Sequence, residues 1–393
     1  MSSGCPHIDF TSDFMRDHLY EETARLRTES PVVWTEAHGG YWVLTRYADI
    51  HRVLQDPETF TSTQGVTVPY LEAPMKAVPF ESDPPEHRDY RRSMNPYLTP
   101  EAARRMEDDT RVVVDALIDR FIGKGRCDLA GEFAQHVSTT ILFRNLLGAD
   151  ESEMEACHEA VMKYAYEPTS SAGIEGAIYL MQFCYQLAQA HRAEPGDMIV
   201  DSIVRCDVQG RPADDLEMVG MLAILIFGGV ETTANATCAA VKVLSDRPEL
   251  QRELRENPER IARALDEFLR FDPPLVGLAR RATRDVEIGG QLIRKGDAVY
   301  YSIAAANRDP AEFPDPDNFD PWRNPNRHLA FSAGIHRCAG SNLARMMLKV
   351  SLEQLLARLD DIVIDGEIDY VQAASRGMRN CPIRFRARER ASA

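Results

Sequence analysis

The stretch MVGMLAILIFGGV (Met218–Val230) is an unbroken run of apolar and glycine residues. It falls short of the roughly 20 residues a membrane-spanning helix needs. It therefore reads as the buried part of a core helix, within a helical pattern over 215–245. A helix that is apolar all round must be surrounded by other elements. The chain supplies them as further helical patterns over about 130–147, 152–163, 174–192, 257–271 and 340–358. Another starts at Thr99 as N-cap, with Pro100 in the first helical position, and ends near Gly123. Its inward face is expected to carry Val112, Val113, Leu117 and Phe121.

The β signals are few. Pro31–Tyr47 places two β-prone runs around Gly39-Gly40, a hairpin pattern. Short strands are expected at Val286–Ile288, Ala298–Tyr301 and Ile383–Phe385. The fold class predicted is mainly α with small β-sheets (α+β). A single domain spans 1–393, with a smaller β-containing subregion near 30–60 and 275–305. Between these elements, Asn307–His328 is crowded with Pro and Asp, and proline excludes a helix interior there. A long irregular segment inside a compact domain is usually functional or packed over something. The loop Thr61–Pro85 mixes Val, Tyr, Leu and Met with prolines; lining a pocket and packing on the core are both open for it.

The net charge of −16 excludes nucleic acid as a general partner, because phosphate binding needs basic surface. MSSGCPHIDF has no basic segment leading into an apolar one, so no signal peptide, no membrane span and a cytoplasmic location are expected. The eight cysteines are Cys5, Cys127, Cys157, Cys184, Cys206, Cys238, Cys338 and Cys381. None stands in a CxxC pair, and reduced, mostly buried thiols are expected.

Four constellations stand out. GGVETT (Gly228–Thr233) puts two glycines, an acid and two alcohols directly after the apolar run. Adjacent glycines let a flat group or a second backbone approach, and an acid beside an alcohol suits a proton relay. A tight helix crossing with Glu231 at the surface explains the residues equally well. In ALDEFLRFDPP, Glu267 and Arg270 share a helix face, either as an exposed ion pair or as a buried one needing a further partner such as Arg323. In ESDPPEHRDYRRSM, His87 and Arg91 share a face, which suits an anion or a solvated basic surface. In FSAGIHRCAG, Cys338 stands just before a helix start, where amide groups and the helix dipole favour the thiolate. Metal ligation fits better than nucleophilic attack, since His336 is poorly spaced to serve as its base.

Taken together and in order, these motifs resemble the cytochrome P450 family in its soluble bacterial form. Phe331, Gly334, Cys338 and Gly340 fill the pattern Phe-x-x-Gly-x-x-x-Cys-x-Gly. The resemblance implies a P450-like fold, with protohaem (heme b, iron protoporphyrin IX) between a long kinked distal helix and the helix after the Cys loop. It makes Cys338 the axial iron ligand. It makes His87, Arg91, Arg280 and His336 partners of the haem propionates, and places Gly228 and Phe331 against the haem. Gly334 and Gly340 are expected to keep the backbone close to the porphyrin. Glu231 and Thr232 become the acid–alcohol pair of oxygen activation, with glutamate where aspartate is commoner. Glu267, Arg270 and Arg323 become a structural triad.

The resemblance implies a monooxygenase that inserts one atom of O2 into a small or medium hydrophobic substrate. EAHGGYWVL and TQGVTVPYLE are locally similar to members that oxidise monoterpenoids. Val66, Tyr70, Met75, Ile224, Phe227, Val276 and Met378 are the expected pocket residues. A peroxide-driven haem-thiolate catalyst and a non-catalytic haem sensor or carrier are the alternatives; the acid–alcohol pair argues against both. Pro321–Lys349 holds Arg323, Arg327, Arg337, Arg345 and Lys349 but no acid. In so acidic a chain this predicts a basic dock near Arg337 and Lys349 for an acidic ferredoxin-type electron donor. A monomer is expected.

Overall fold

In the computed structural model the described residues are 8–70, 75–372 and 375–388. Cys5 lies outside them. The helices are α1 Asp13–Glu29, α2 Tyr47–Gln55, α3 Glu86–Met94, α4 Pro100–Arg105, α5 Glu107–Phe121, α6 Gln135–Ile141, α7 Met154–Tyr166, α8 Ser171–Ala193, α9 Ile199–Val204, α10 Asp215–Ser245, α11 Pro248–Glu256, α12 Ile261–Phe271, α13 Ile303–Ala306 and α14 Ser341–Arg358. The strands are β1 Val32–Thr35, β2 Tyr41–Leu44, β3 Phe60–Thr61, β4 Arg126–Asp128, β5 Asp207–Val208, β6 Arg211–Pro212, β7 Gly277–Ala282, β8 Val286–Ile288, β9 Gln291–Ile293, β10 Ala298–Ser302, β11 Leu359–Ile364, β12 Tyr370–Gln372, β13 Arg376–Met378 and β14 Pro382–Ala387.

Helix α10 is the axis of the helical layer. Asp214 caps it, and Glu217 reaches back to the Asp214 amide, closing a capping box. By length and composition α10 is apolar enough to cross a membrane. Here its apolar surface is instead covered by α6, α7, α8, α12 and α14. The expected hairpin and the strand expected at Ala298–Tyr301 join one five-stranded sheet in the order β1-β2-β10-β7-β3, while the expected strand Val286–Ile288 forms a separate two-stranded sheet with β9. In the five-stranded sheet the β10–β2 pair is parallel and the other pairs are antiparallel.

Two local expectations change. The helix expected from Thr99 to Gly123 is two helices. Thr99 does cap α4, accepting from Ala102 N, but the chain turns at Met106 and restarts with Glu107, Asp108 and Asp109. That acidic first turn complements the positive end of α5. Val112 is 68% exposed, and the inward face is Thr110, Val113, Val114, Leu117, Ile118 and Phe121. Three consecutive valines leave the helix phase ambiguous, and packing settles it by one residue.

The irregular stretch after α13 is packed, with Asn307, Phe313, Phe319 and Leu329 buried. Its backbone is organised by two arginines. Arg270 donates to the Asn307 and Pro316 carbonyls at 2.8 and 2.9 Å, and Arg323 donates to the Pro314 carbonyl at 2.8 Å. Guanidinium donors thus replace the ladder that a helix or strand would have provided.

Candidate active site

Cys338 stands between a short helical turn, Gly334–His336, and α14. Its amide donates to the Phe331 carbonyl at 2.9 Å, which closes the loop. It is the one exposed cysteine among the described free cysteines; the other six are buried. Burial nonetheless dominates its surroundings and raises the thiol, while the Gly340 amide and the charges of Arg91, Arg337 and Arg345 pull it back. Cys338 is thus exposed although protein groups crowd it. Phe331 is fixed from behind by the Arg345 guanidinium, 4.5 Å from its ring centroid.

Four basic side chains gather beside this loop. His87 and His336 meet edge to face at 4.6 Å between ring centroids. His336 Nε2 lies 3.0 Å from Ser62 Oγ. Arg91 donates to the Arg337 carbonyl at 3.0 Å and Arg280 to the Ala279 carbonyl at 2.7 Å. Burial, then Arg91, pushes His87 down to about 4. Burial, then Arg280, His87 and Arg91, pushes His336 down to about 2. Among the described residues none of the four is paired with a carboxylate. Asp83, the acid that His87 feels, is taken up by the Thr61 hydroxyl and the Ser62 amide. The two arginine charges, without a carboxylate, are costly unless they meet an anion, and the two imidazoles beside them offer it hydrogen bonds.

On α10 Ala223, Ile224, Leu225, Phe227, Gly228, Gly229 and Thr232 keep some surface, and of these Ile224, Phe227, Gly228 and Thr232 share one face at offsets of three, four and eight residues, while Val230, Glu231 and Thr233 are buried. A Cβ built on Gly228 or Gly340 meets no atom within 4 Å, so both glycines border open space. Gly334 behaves differently. With φ +66 it packs on the Leu54 carbonyl, so it serves loop packing against α2 rather than approach to a cofactor. Thr232 Oγ1 donates to the Gly228 carbonyl at 2.8 Å, a side-chain bond of the kind that bends helices. These features fit a flat dianionic group with a thiolate ligand: an accessible sulfur, an unpaired basic cluster and glycines facing space.

Glu231 does not lie on that face. It is 2% exposed and accepts from Ser375 Oγ at 2.7 Å and Asn235 Nδ2 at 3.1 Å, both on Oε1. Asn235, one helical turn on, was readable from spacing. Ser375 carried no sequence signal, nor did Ser62. Glu267, Arg270 and Arg323 do come together. Arg270 grips Glu267 with two bonds of 2.7 and 2.8 Å, and Arg323 Nε reaches it at 3.2 Å. Asn326 and the Asp320 amide add bonds at 3.0 and 2.9 Å.

The expected pocket residues divide. Ile224, Phe227 and Met75 are partly accessible, and Phe227 meets the Tyr164 ring at 5.8 Å. Val66 is 5% exposed, and its carbonyl is used by Ala279 N. Val276 and Met378 are corrections: both are sealed in the core and offer no surface to a ligand. The Val276 carbonyl accepts from Ala304 N in the β-layer, and Met378 N donates to Asn235. Tyr70 folds back over Gly65 and is 38% exposed.

Ion pairs take up most of the expected basic dock. Lys349 pairs with Glu107 at 2.9 Å, Arg345 with Asp266 at 2.9 Å and Arg327 with Glu312 at 3.5 Å, while Arg323 is consumed by Glu267. Acids from other elements neutralise what the local sequence counts as free charge. Of the five, Arg337 alone remains exposed without an ion pair among the described residues.

The chain is similar to known proteins in sequence and fold. A cytochrome P450 family profile matches residues 179–367. A linalool 8-monooxygenase of Pseudomonas putida is 34% identical over 358 residues, covering 86% of this chain and 87% of its own. A mycinamicin IV hydroxylase/epoxidase of Micromonospora griseorubida is 34% identical over 332 residues, 82% of each chain. A Mycobacterium marinum cytochrome P450 solved with pseudoionone superposes with TM-score 0.89 at 28% identity, covering 98% of this chain and 100% of that one. With the Cys338 loop, the basic cluster and α10 arranged as they are, the chain belongs to the cytochrome P450 family, haem-thiolate monooxygenases built around protohaem.

Proposed function

We propose that this monooxygenase oxidises a small or medium apolar molecule, and that acyclic terpenoids are its substrate class. The observation that carries this reading is the accessible stripe of α10. Ile224 and Phe227 offer hydrocarbon and aromatic surface immediately beside Gly228 and Thr232, with no charged side chain among the four. Apolar walls with one alcohol suit a hydrocarbon skeleton with few polar groups. One relative is named for linalool, and one structural neighbour was solved with pseudoionone; both are acyclic isoprenoids. Other relatives carry macrolide names, which makes macrolides the competing class.

In this reading Cys338 holds the haem iron, Arg91 and Arg280 neutralise its propionates, and His87 and His336 hydrogen-bond to them. When bound, a thiolate-ligated protohaem supplies oxygen activation and electron push toward O–O cleavage. The chain's own groups supply protons and exclude water. Thr232 carries the hydroxyl nearest the open face, and Glu231 behind it holds a proton for delivery. Electrons come from a separate ferredoxin-type donor. Arg337, the unpaired exposed cation, is its proposed contact; Lys349, already paired with Glu107, is not. The protein is proposed to act in the cytoplasm as a monomer.

The first test is the reduced, CO-bound absorption spectrum, expected to show the red-shifted Soret band of thiolate ligation. Cys338→Ala or Cys338→His abolishes that band, and a band kept in Cys338→His overturns the ligand assignment. Linalool added to the oxidised holoenzyme is expected to shift the spin state toward high spin. A shift with a macrolide and none with linalool overturns the substrate class. Arg337→Glu is expected to slow reduction by ferredoxin at low salt, and an unchanged rate removes Arg337 from the contact.

A further inference from the structure

The carboxyl of Glu231 occupies a purpose-built niche away from the open face of α10. Ser375 Oγ donates to Oε1 at 2.7 Å, and Asn235 Nδ2 donates to the same oxygen at 3.1 Å. Asn235 Oδ1 accepts the Met378 amide at 3.1 Å, so the backbone of β13 sets which way that side-chain amide points. Gly377 completes the niche. A Cβ there would stand 3.0 Å from Glu231 Oε1 and 2.7 Å from Tyr166 Cε1, so only glycine leaves room for the carboxyl and the ring together. Ser375 itself is anchored from outside. It bridges to Leu275, the next amide donates to the Pro274 carbonyl at 3.0 Å, and the Arg376 guanidinium meets Asp272 at 3.3 Å.

We propose that Ser375 is a positioning residue for proton delivery: its hydroxyl latches the Glu231 carboxyl against β13, and opening that bond frees the carboxyl to swing toward Thr232. The proposal rests on the reading of Glu231 as the proton donor. It also accounts for glutamate where aspartate is commoner, since the extra methylene lets a carboxyl on α10 span to β13. The groups facing Glu231 are Tyr166 from α7, Asn235 from α10 and Ser375 beside β13. The Arg379 guanidinium lies over the Tyr166 ring, 5.1 Å from its centroid. Among the described residues no cation is paired with the Glu231 carboxyl. Burial raises it, and the Ser375 and Asn235 hydrogen bonds hold it back. A serine hydroxyl donates to a carboxylate and accepts from a carboxylic acid, so one partner serves both protonation states. Each proton that Glu231 gives up is replaced from water, leaving the carboxyl unchanged over a cycle.

The test compares wild-type holoenzyme with Ser375→Ala, Ser375→Thr and Glu231→Gln. Infrared spectroscopy reads the protonated carboxyl stretch, assigned to Glu231 by its loss in Glu231→Gln. Ser375→Ala is expected to move that band and to shift the matching limb of the pH–rate profile upward by about one pH unit, as one hydrogen bond to the charged form is lost. Ser375→Thr, which keeps a hydroxyl, is expected to restore both. A band and profile unmoved by Ser375→Ala, with Glu231→Gln impaired, overturn the latch alone. A Glu231→Gln holoenzyme with wild-type product yield and solvent isotope effect overturns the proton-donor reading, and with it the latch's purpose.

Discussion

Two buried glutamates in this protein are held in opposite ways. Glu267 on α12 is matched by two guanidiniums, Arg270 and Arg323, and its remaining acceptor positions are filled by Asn326 and a backbone amide. Glu231 on α10 is held by a hydroxyl and a carboxamide, with no cation paired to it among the described residues. Both are almost fully buried. The cationic arrangement fixes a charge in place and, through the same arginines, pins the carbonyls of the irregular 307–328 segment. The neutral arrangement tolerates either protonation state and leaves the side chain able to exchange partners. On the proposed reading of Glu231, scaffold and chemistry are separated by the partners each carboxyl is given, not by burial.

The largest effect is expected on the scaffold side. Arg270→Ala leaves Glu267 buried with half its compensation gone, and removing one partner of a buried pair costs about 3–5 kcal/mol. Urea unfolding and haem content both read this, and a loss below about 1 kcal/mol would show that Arg323 and the backbone amides suffice. Glu231→Gln is expected to do the reverse. Glutamine keeps an acceptor for Ser375 and Asn235, so unfolding stays close to wild type, while product formation falls about a hundredfold through loss of the acid. Destabilisation matching that of Arg270→Ala would erase the distinction between the two sites.

What could be read from the chain follows the same division. Local grammar was legible. The helical pattern over 215–245 matched the observed ends of α10, and the Cys338 loop and the i, i+3 pair of Glu267 and Arg270 were visible as patterns. Partners far apart in sequence were not. Ser375 lies 144 residues from Glu231, and no periodicity links a loop serine to a helix acid. Part of the pairing in the basic run Pro321–Lys349 was hidden for the same reason, because Asp266 and Glu107 reach Arg345 and Lys349 from α12 and α5. Val276 and Met378 occupy positions expected to face a pocket, yet both are buried, which only packing reveals.

A smaller effect tests how closely the Glu231 niche is fitted. Gly377→Ala adds one methyl against the Tyr166 ring and the Glu231 carboxyl. Overpacking of this kind costs about 1–3 kcal/mol. The carboxyl, held by two hydrogen bonds, is more easily displaced than the ring, so the infrared band of Glu231 should move along with stability. A stability loss with the band unmoved would mean that Tyr166 alone yields.

The smallest effect is electrostatic and extends the comparison to a third carboxyl. Asp266 neighbours Glu267 on α12 but faces the Cys338 side, where His328 lies 3.3 Å and Arg345 2.9 Å away. Burial alone would raise it, yet the His328 hydrogen bond and the Arg345 charge hold it at about 2, below the ordinary 3.8. A carboxyl depressed on folding contributes stability above its unfolded pKa, and that contribution is lost as pH falls through the folded value. The window is therefore from about pH 4 down to about pH 2. The side chain is 41% exposed, so water and salt reduce the contribution to less than about 1 kcal/mol. Asp266→Asn should flatten the difference in urea midpoint across that window and leave it unchanged near neutrality. If the cationic partners of Asp266 act as those of Glu267 do, the flattening persists in moderate salt. If it vanishes there, Asp266 belongs to the screened surface, and pairing with cations marks scaffold only where burial is complete.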